Sequence, residues 1–63
     1  MHENAYYSLA VVLDNLENYK EAVNYYQKFV SLKGETKDEM TQFAQSRIKE
    51  LNEYLAQLNG NKK

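Results

Sequence analysis

The residues that could do chemistry are few, and their spacing does not assemble them. His2 is the one histidine and lies at the very start of the chain. No Glu-x-x-His pair exists to build a carboxylate metal site between helices. There is no cysteine, so thiolate catalysis, thiolate metal ligation and disulfide staples are all excluded. No Cys or Ser nucleophile has a histidine partner, and no glycine loop could cradle a phosphate. The acidic pairs Asp38-Glu39 and Glu50-Glu53 fit a helix start and a solvated face better than a general acid and base. An enzyme needs a concave site of roughly 300 Å³ or more, which three short helices can hardly enclose. The expectation is a non-catalytic protein with no cofactor, no metal and no small-molecule substrate.

The elements must therefore be read for what they bind. Sixty-three residues hold one small domain. Such a chain buries only about 60% of its unfolded surface, so stability has to come from helix packing or association. Proline is absent and the two glycines, Gly34 and Gly60, lie late, which favours long helices. The net charge is −1 with acids and bases interspersed, so nothing steers the chain toward nucleic acid or an anionic membrane. No apolar stretch approaches the roughly 20 residues that span a bilayer. Met1-His2-Glu3 is not a signal peptide. A start almost directly in a helix suggests a fragment of a longer protein, and no compartment is legible.

Apolar periodicity predicts helices over about 3–16, 19–33 and 37–58, a single domain over 1–58, and a disordered polar tail over 59–63. In the first helix Tyr6, Leu9, Ala10, Leu13 and Leu16 make one buried face, broadened by Val12. Asn18, with Glu21 three residues on, predicts a capping box for the second helix. Its buried stripe is Ala22, Tyr26, Phe29 and Val30, with Val23 and Leu32 flanking. Lys33 suits the negative end of that helix, and Gly34 can take the left-handed conformation that closes it. Thr36-Lys37-Asp38-Glu39 is a second capping signal. The third helix carries Met40, Phe43, Ala44, Ile48, Leu51, Tyr54, Leu55 and Leu58 and overhangs the hairpin by about two turns. On that geometry Tyr54, Leu55 and Leu58 lie beyond the hairpin's reach.

Residues 3–36 resemble the tetratricopeptide repeat, a helix–turn–helix unit of about 34 residues. The resemblance is carried by Tyr6, Leu9, Ala10 and Leu13, by the turn Glu17-Asn18-Tyr19, and by Ala22 and Tyr26. Phe29 stands where a small residue is usual, and Gly34 where proline is usual. Met40, Phe43 and Ala44 fall in frame as a second start, but Arg47 takes the place of a large apolar residue. The resemblance implies an all-α fold of the α–α superhelix type: an antiparallel hairpin followed by a long capping helix. It implies a protein–protein interaction scaffold, the terminal unit of an array, holding a partner peptide or helix.

Carried over position by position, the concave face would comprise Asn4, Tyr7, Val11, Asp14 and Asn15, with Thr41, Gln45 and Ile48 from the third helix. Tyr7 and Val11 occupy the places where some relatives grip a C-terminal carboxylate with Lys or Arg and Asn, so that clamp is absent. The tyrosines suit packing better than stacking on bases or sugars. A different use of the chain is self-assembly, a homodimer through Leu51, Tyr54, Leu55 and Leu58. A helical RNA-binding repeat is disfavoured, because phosphate contacts need clustered Lys and Arg.

Overall fold

A computed structural model describes residues 2–34 and 38–60, with side chains from 4–34 and 38–58. It holds three helices, α1 (His2–Asn15), α2 (Tyr19–Lys33) and α3 (Glu39–Gly60). Thr36, Lys37, the Glu35-Thr36 connection, the His2 side chain and residues 61–63 lie outside this description.

α2 is the middle layer, packed by α1 on one side and α3 on the other. The reason is its composition. Ala22, Val23, Tyr26 and Phe29 are buried on α2 and face both neighbours. Ala10 on α1 and Ala44 on α3 are fully buried opposite them, and Leu51 completes the core. A methyl side chain at each contact lets backbones approach while the large rings of Tyr26 and Phe29 fill the space between turns. Tyr7 reaches in from α1, with its ring centroid 5.0 Å from Phe29, 6.3 Å from Tyr26 and 6.2 Å from Phe43. Tyr6 stacks on Tyr25 at 6.0 Å.

The helix ends depart from the sequence expectation in informative ways. α1 ends at Asn15, and Leu16 stands 70% exposed in the turn, not in the buried face. The Asn18 N–H donates to the Leu13 carbonyl at 2.9 Å and the Glu17 N–H to Asp14 at 3.0 Å. With Glu17 at φ 64°, this is a Schellman closure built on a residue other than glycine. Asn18 precedes α2, but its side chain makes no capping hydrogen bond. Its role is instead through its backbone, whose carbonyl accepts from the Ala22 N–H. Gly34 does take a positive φ, 66°, and its N–H donates to the Val30 carbonyl. α3 starts at Glu39, two residues later than expected, because Asp38 is the residue that caps it. Its Oδ1 accepts the Thr41 N–H at 2.8 Å. Its Oδ2 pairs with Lys33 Nζ at 3.0 Å, stapling the end of α2 to the start of α3. At its other end α3 includes Asn59 and Gly60, which the sequence reading assigned to a tail.

The overhang of α3 is also shorter than expected. Tyr54 packs against Tyr19 at 5.2 Å, and Leu55 packs against the core. The Lys33–Asp38 and Tyr19–Tyr54 contacts thus bracket the whole of α2, and only the last turn or so of α3 projects.

Enlarging the contact alanines should be costly while the turn leucine should be indifferent. Ala22→Leu is expected to lower stability by about 1–3 kcal/mol through overpacking, and Leu16→Glu to change it by less than about 0.5 kcal/mol. Urea denaturation of both variants measures this; equal effects would contradict the packing described.

Candidate protein-interaction groove

α1 and α3 both lie against α2, and among the described residues two side-chain contacts join them. One is Tyr7 with Phe43. The other is Asp14 with Arg47, the only arginine in the chain. Arg47 stands at the place that a large apolar residue would fill, and its guanidinium answers to an acid on the neighbouring helix. Its Nε donates to Asp14 Oδ2 at 2.8 Å and its Nη2 to Oδ1 at 2.7 Å, a two-pronged contact between planar groups. Nη1 reaches Glu50 Oε1 at 2.6 Å. The Tyr26 hydroxyl donates to Asp14 Oδ2 at 3.1 Å, which ties the pair to α2 as well.

The electrostatics follow from these bonds. The Arg47 hydrogen bond holds the Asp14 carboxyl below its ordinary pKa, against the opposing effect of burial. The same contact holds Arg47 firmly protonated. Burial, and then the bond to Asp14, pushes the Tyr26 hydroxyl well above its ordinary range. At the other end of α3, the Thr41 N–H and side chain, with Lys33, lower Asp38 to about 2.

The α1–α3 face that these contacts define is the candidate groove. From α1, Asn4 and Asn15 are exposed, and Tyr7 and Val11 are partly buried against the core. Asp14 belongs to the groove, but both its oxygens are engaged. From α3 the wall is Met40, 36% exposed, Phe43, 45% exposed, and Arg47. The expected α3 residues are elsewhere. Thr41 is buried, 2% exposed, and Ile48 packs into the core. Gln45 is exposed and shares a helix face with Asn52, seven residues on, which borders a depression with Lys20, Glu21 and Asn24 of α2. The frame was shifted because the sequence pattern weakens after Gly34. The lone arginine and the one acid between Asn4 and Asn15 are the sequence signal for the α1–α3 contact.

Of the four residues assigned to self-association, Leu51 is buried at 4% exposure and cannot join an interface. Leu55 is partly buried, Tyr54 covers Tyr19, and Leu58 is 44% exposed near the tip of α3. Leu9 and Val12 of α1, with Leu16 in the turn after it, form a separate exposed apolar stripe at i, i+3 and i+7, so Leu9 too departs from the buried face expected of it. A depression of about 540 Å³ between α1 and α2 is open to solvent and lined by Tyr6, Asn24, Gln27, Lys28, Ser31 and Leu32, a set with no paired acid and base. Among the described residues, no group of three or more His, Asp or Glu could hold a metal ion. No helix there is long and apolar enough to cross a membrane.

Comparison with known proteins matches residues 3–36 to the family model described as tetratricopeptide repeat. No curated protein and no solved structure matches the chain.

Two predictions follow from the charge network. Asp14→Ala leaves a largely sequestered guanidinium without its main partner, and should cost about 2 kcal/mol, less than a fully buried pair because Arg47 keeps 27% exposure. A double-mutant cycle with Arg47→Met should return a coupling of about 1–2 kcal/mol; zero coupling would show the contact to be inert. Stability should also depend on pH at both extremes. Asp14 and Asp38 ionise more readily folded than unfolded, so their contribution is complete above the ordinary carboxylate value of 3.8 and fades as pH falls below it. Tyr26 ionises less readily when folded, so its contribution holds below pH 10.0 and fades above it. Thermal melts from pH 2 to 12 should show both flanks, the alkaline one shallower in Tyr26→Phe.

Proposed function

The chain belongs to the tetratricopeptide repeat family, and on that premise we propose that it is a protein–protein interaction module whose α1–α3 groove holds a partner peptide or helix. Repeats of this family generally mediate protein–protein interactions and are generally not catalytic. The observation that carries the reading is Phe43, about half-exposed against Tyr7, with the exposed Met40 one turn before it on α3 and the Asp14–Arg47 charges already paired. An exposed aromatic and aliphatic surface of this kind suits the apolar face of a partner.

We read the unit as terminal in its array. α1 and the turn after it leave Leu9, Val12 and Leu16 exposed in a stripe that another helix would cover. α3 turns Gln42, Gln45, Lys49, Asn52, Glu53 and Gln57 outward, the polar face of a cap. The homodimer reading has narrower support, the exposed Leu58 beside the half-exposed Tyr54. Sedimentation at micromolar concentration separates the two, with a dimer lost in Leu58→Glu favouring self-assembly.

Charging Tyr7, which touches three buried or half-buried rings, would damage the fold, so the groove is better tested from α3. Peptides selected from a displayed library should perturb the amide resonances of Val11, Met40 and Phe43. Phe43→Glu should weaken them by about 2 kcal/mol or more with helical circular dichroism retained. Binding mapped instead to Gln45 and Asn52, or unaffected by Phe43→Glu, would refute the groove assignment.

A further inference from the structure

Where α1 turns into α2, a second concavity of about 330 Å³ is lined by Glu17, Tyr19, Arg47, Glu50, Leu51 and Tyr54. The Tyr19 and Tyr54 rings stand 5.2 Å apart at 81°, so they form two walls at right angles. Arg47 gives three of its five N–H groups to carboxylates, two to Asp14 on one side and one to Glu50 on the other. Of the charged groups that line the notch, Glu17 and Glu50 are carboxylates and Arg47 the one cation, so the lining is net negative. A negative rim and aromatic walls are what a cation seeks on leaving water.

We propose that this notch receives a basic side chain, a lysine ammonium or an arginine guanidinium, of the partner that lies in the α1–α3 groove. The assignment rests on reading the chain as an interaction module, and Arg47, which lines the notch and bonds Asp14 of α1, borders both sites. A further observation agrees with it. Glu17 occupies the left-handed position of the Schellman closure, φ 64°, where glycine sits without strain and a side chain does not. The chain thus carries a carboxylate on the rim at a conformational cost. The Tyr19 hydroxyl is raised above its ordinary pKa, first by burial and then by Glu17, in keeping with a negative field over the notch.

The test uses the full chain and N-acetyl-lysine amide, N-acetyl-arginine amide and the neutral N-acetyl-norleucine amide as probes. The two cations should shift the ring resonances of Tyr19 and Tyr54 saturably in the millimolar range, less so as salt rises, and the neutral probe should not. Glu17→Gly should weaken the cations about two- to fivefold and yet raise the melting temperature, because strain is relieved. Tyr54→Leu should weaken them similarly with helicity kept. Equal shifts from norleucine, no saturation, or unchanged affinity in Glu17→Gly would each overturn the proposal. Library peptides that occupy the Phe43 cleft but never engage the notch would sink this assignment and leave the interaction reading standing. Cations that bind the notch when no peptide binds the groove would overturn the partner assignment together with the interaction reading.

Discussion

The close approach of three helices at alanine is the constraint on which the rest depends. Ala10, Ala22 and Ala44 are each fully buried, one per helix. With methyl groups at the crossing points, α2 can lie against both neighbours at once, and its own two large rings then reach across to seal the layer. A chain this short has no second core to fall back on. Every feature of the surface, including the cleft between α1 and α3, is a by-product of the distance those alanines set.

Within that frame, the Asp14–Arg47 contact decides how the outer helices face each other. α1 and α3 share few direct contacts, so a charge-assisted, two-pronged bond has leverage that a diffuse apolar contact would lack. It also fixes the character of the cleft. The charges there are mutually satisfied, so the floor offers rings and aliphatic carbon, while the net-negative lining lies farther along at the turn.

The hairpin was legible in the sequence because its signals are redundant. The alanines, the aromatic spacing of Tyr19 and Tyr26 and the glycine stop at Gly34 all point to one arrangement. The groove wall on α3 was not legible, because a single repeat supplies no second copy of the pattern to fix the frame past the connection. There the reading placed Thr41 and Ile48 toward a partner, whereas α2 covers them. Caps were misread for a related reason. Ser, Thr, Asn and Asp compete for the same role over neighbouring positions, and which one wins is settled by a tertiary partner, here Lys33 beside Asp38. The reach of α3 was misjudged because helix length alone ignores where the rings of Tyr19 and Tyr54 meet.

The Arg47–Asp14 bond joins residues 33 apart in sequence, whereas Asp38 caps only three residues on and the α1–α2 closure is local. Contacts dominated by neighbours along the chain make for rapid assembly, since little loop entropy is lost before packing begins. The ion pair can form only once both outer helices have docked. It therefore belongs to the late side of the folding barrier, where a bond slows escape from the native state and leaves the rate of reaching it almost unchanged. On that ordering, the one arginine in the chain acts as a brake on unfolding.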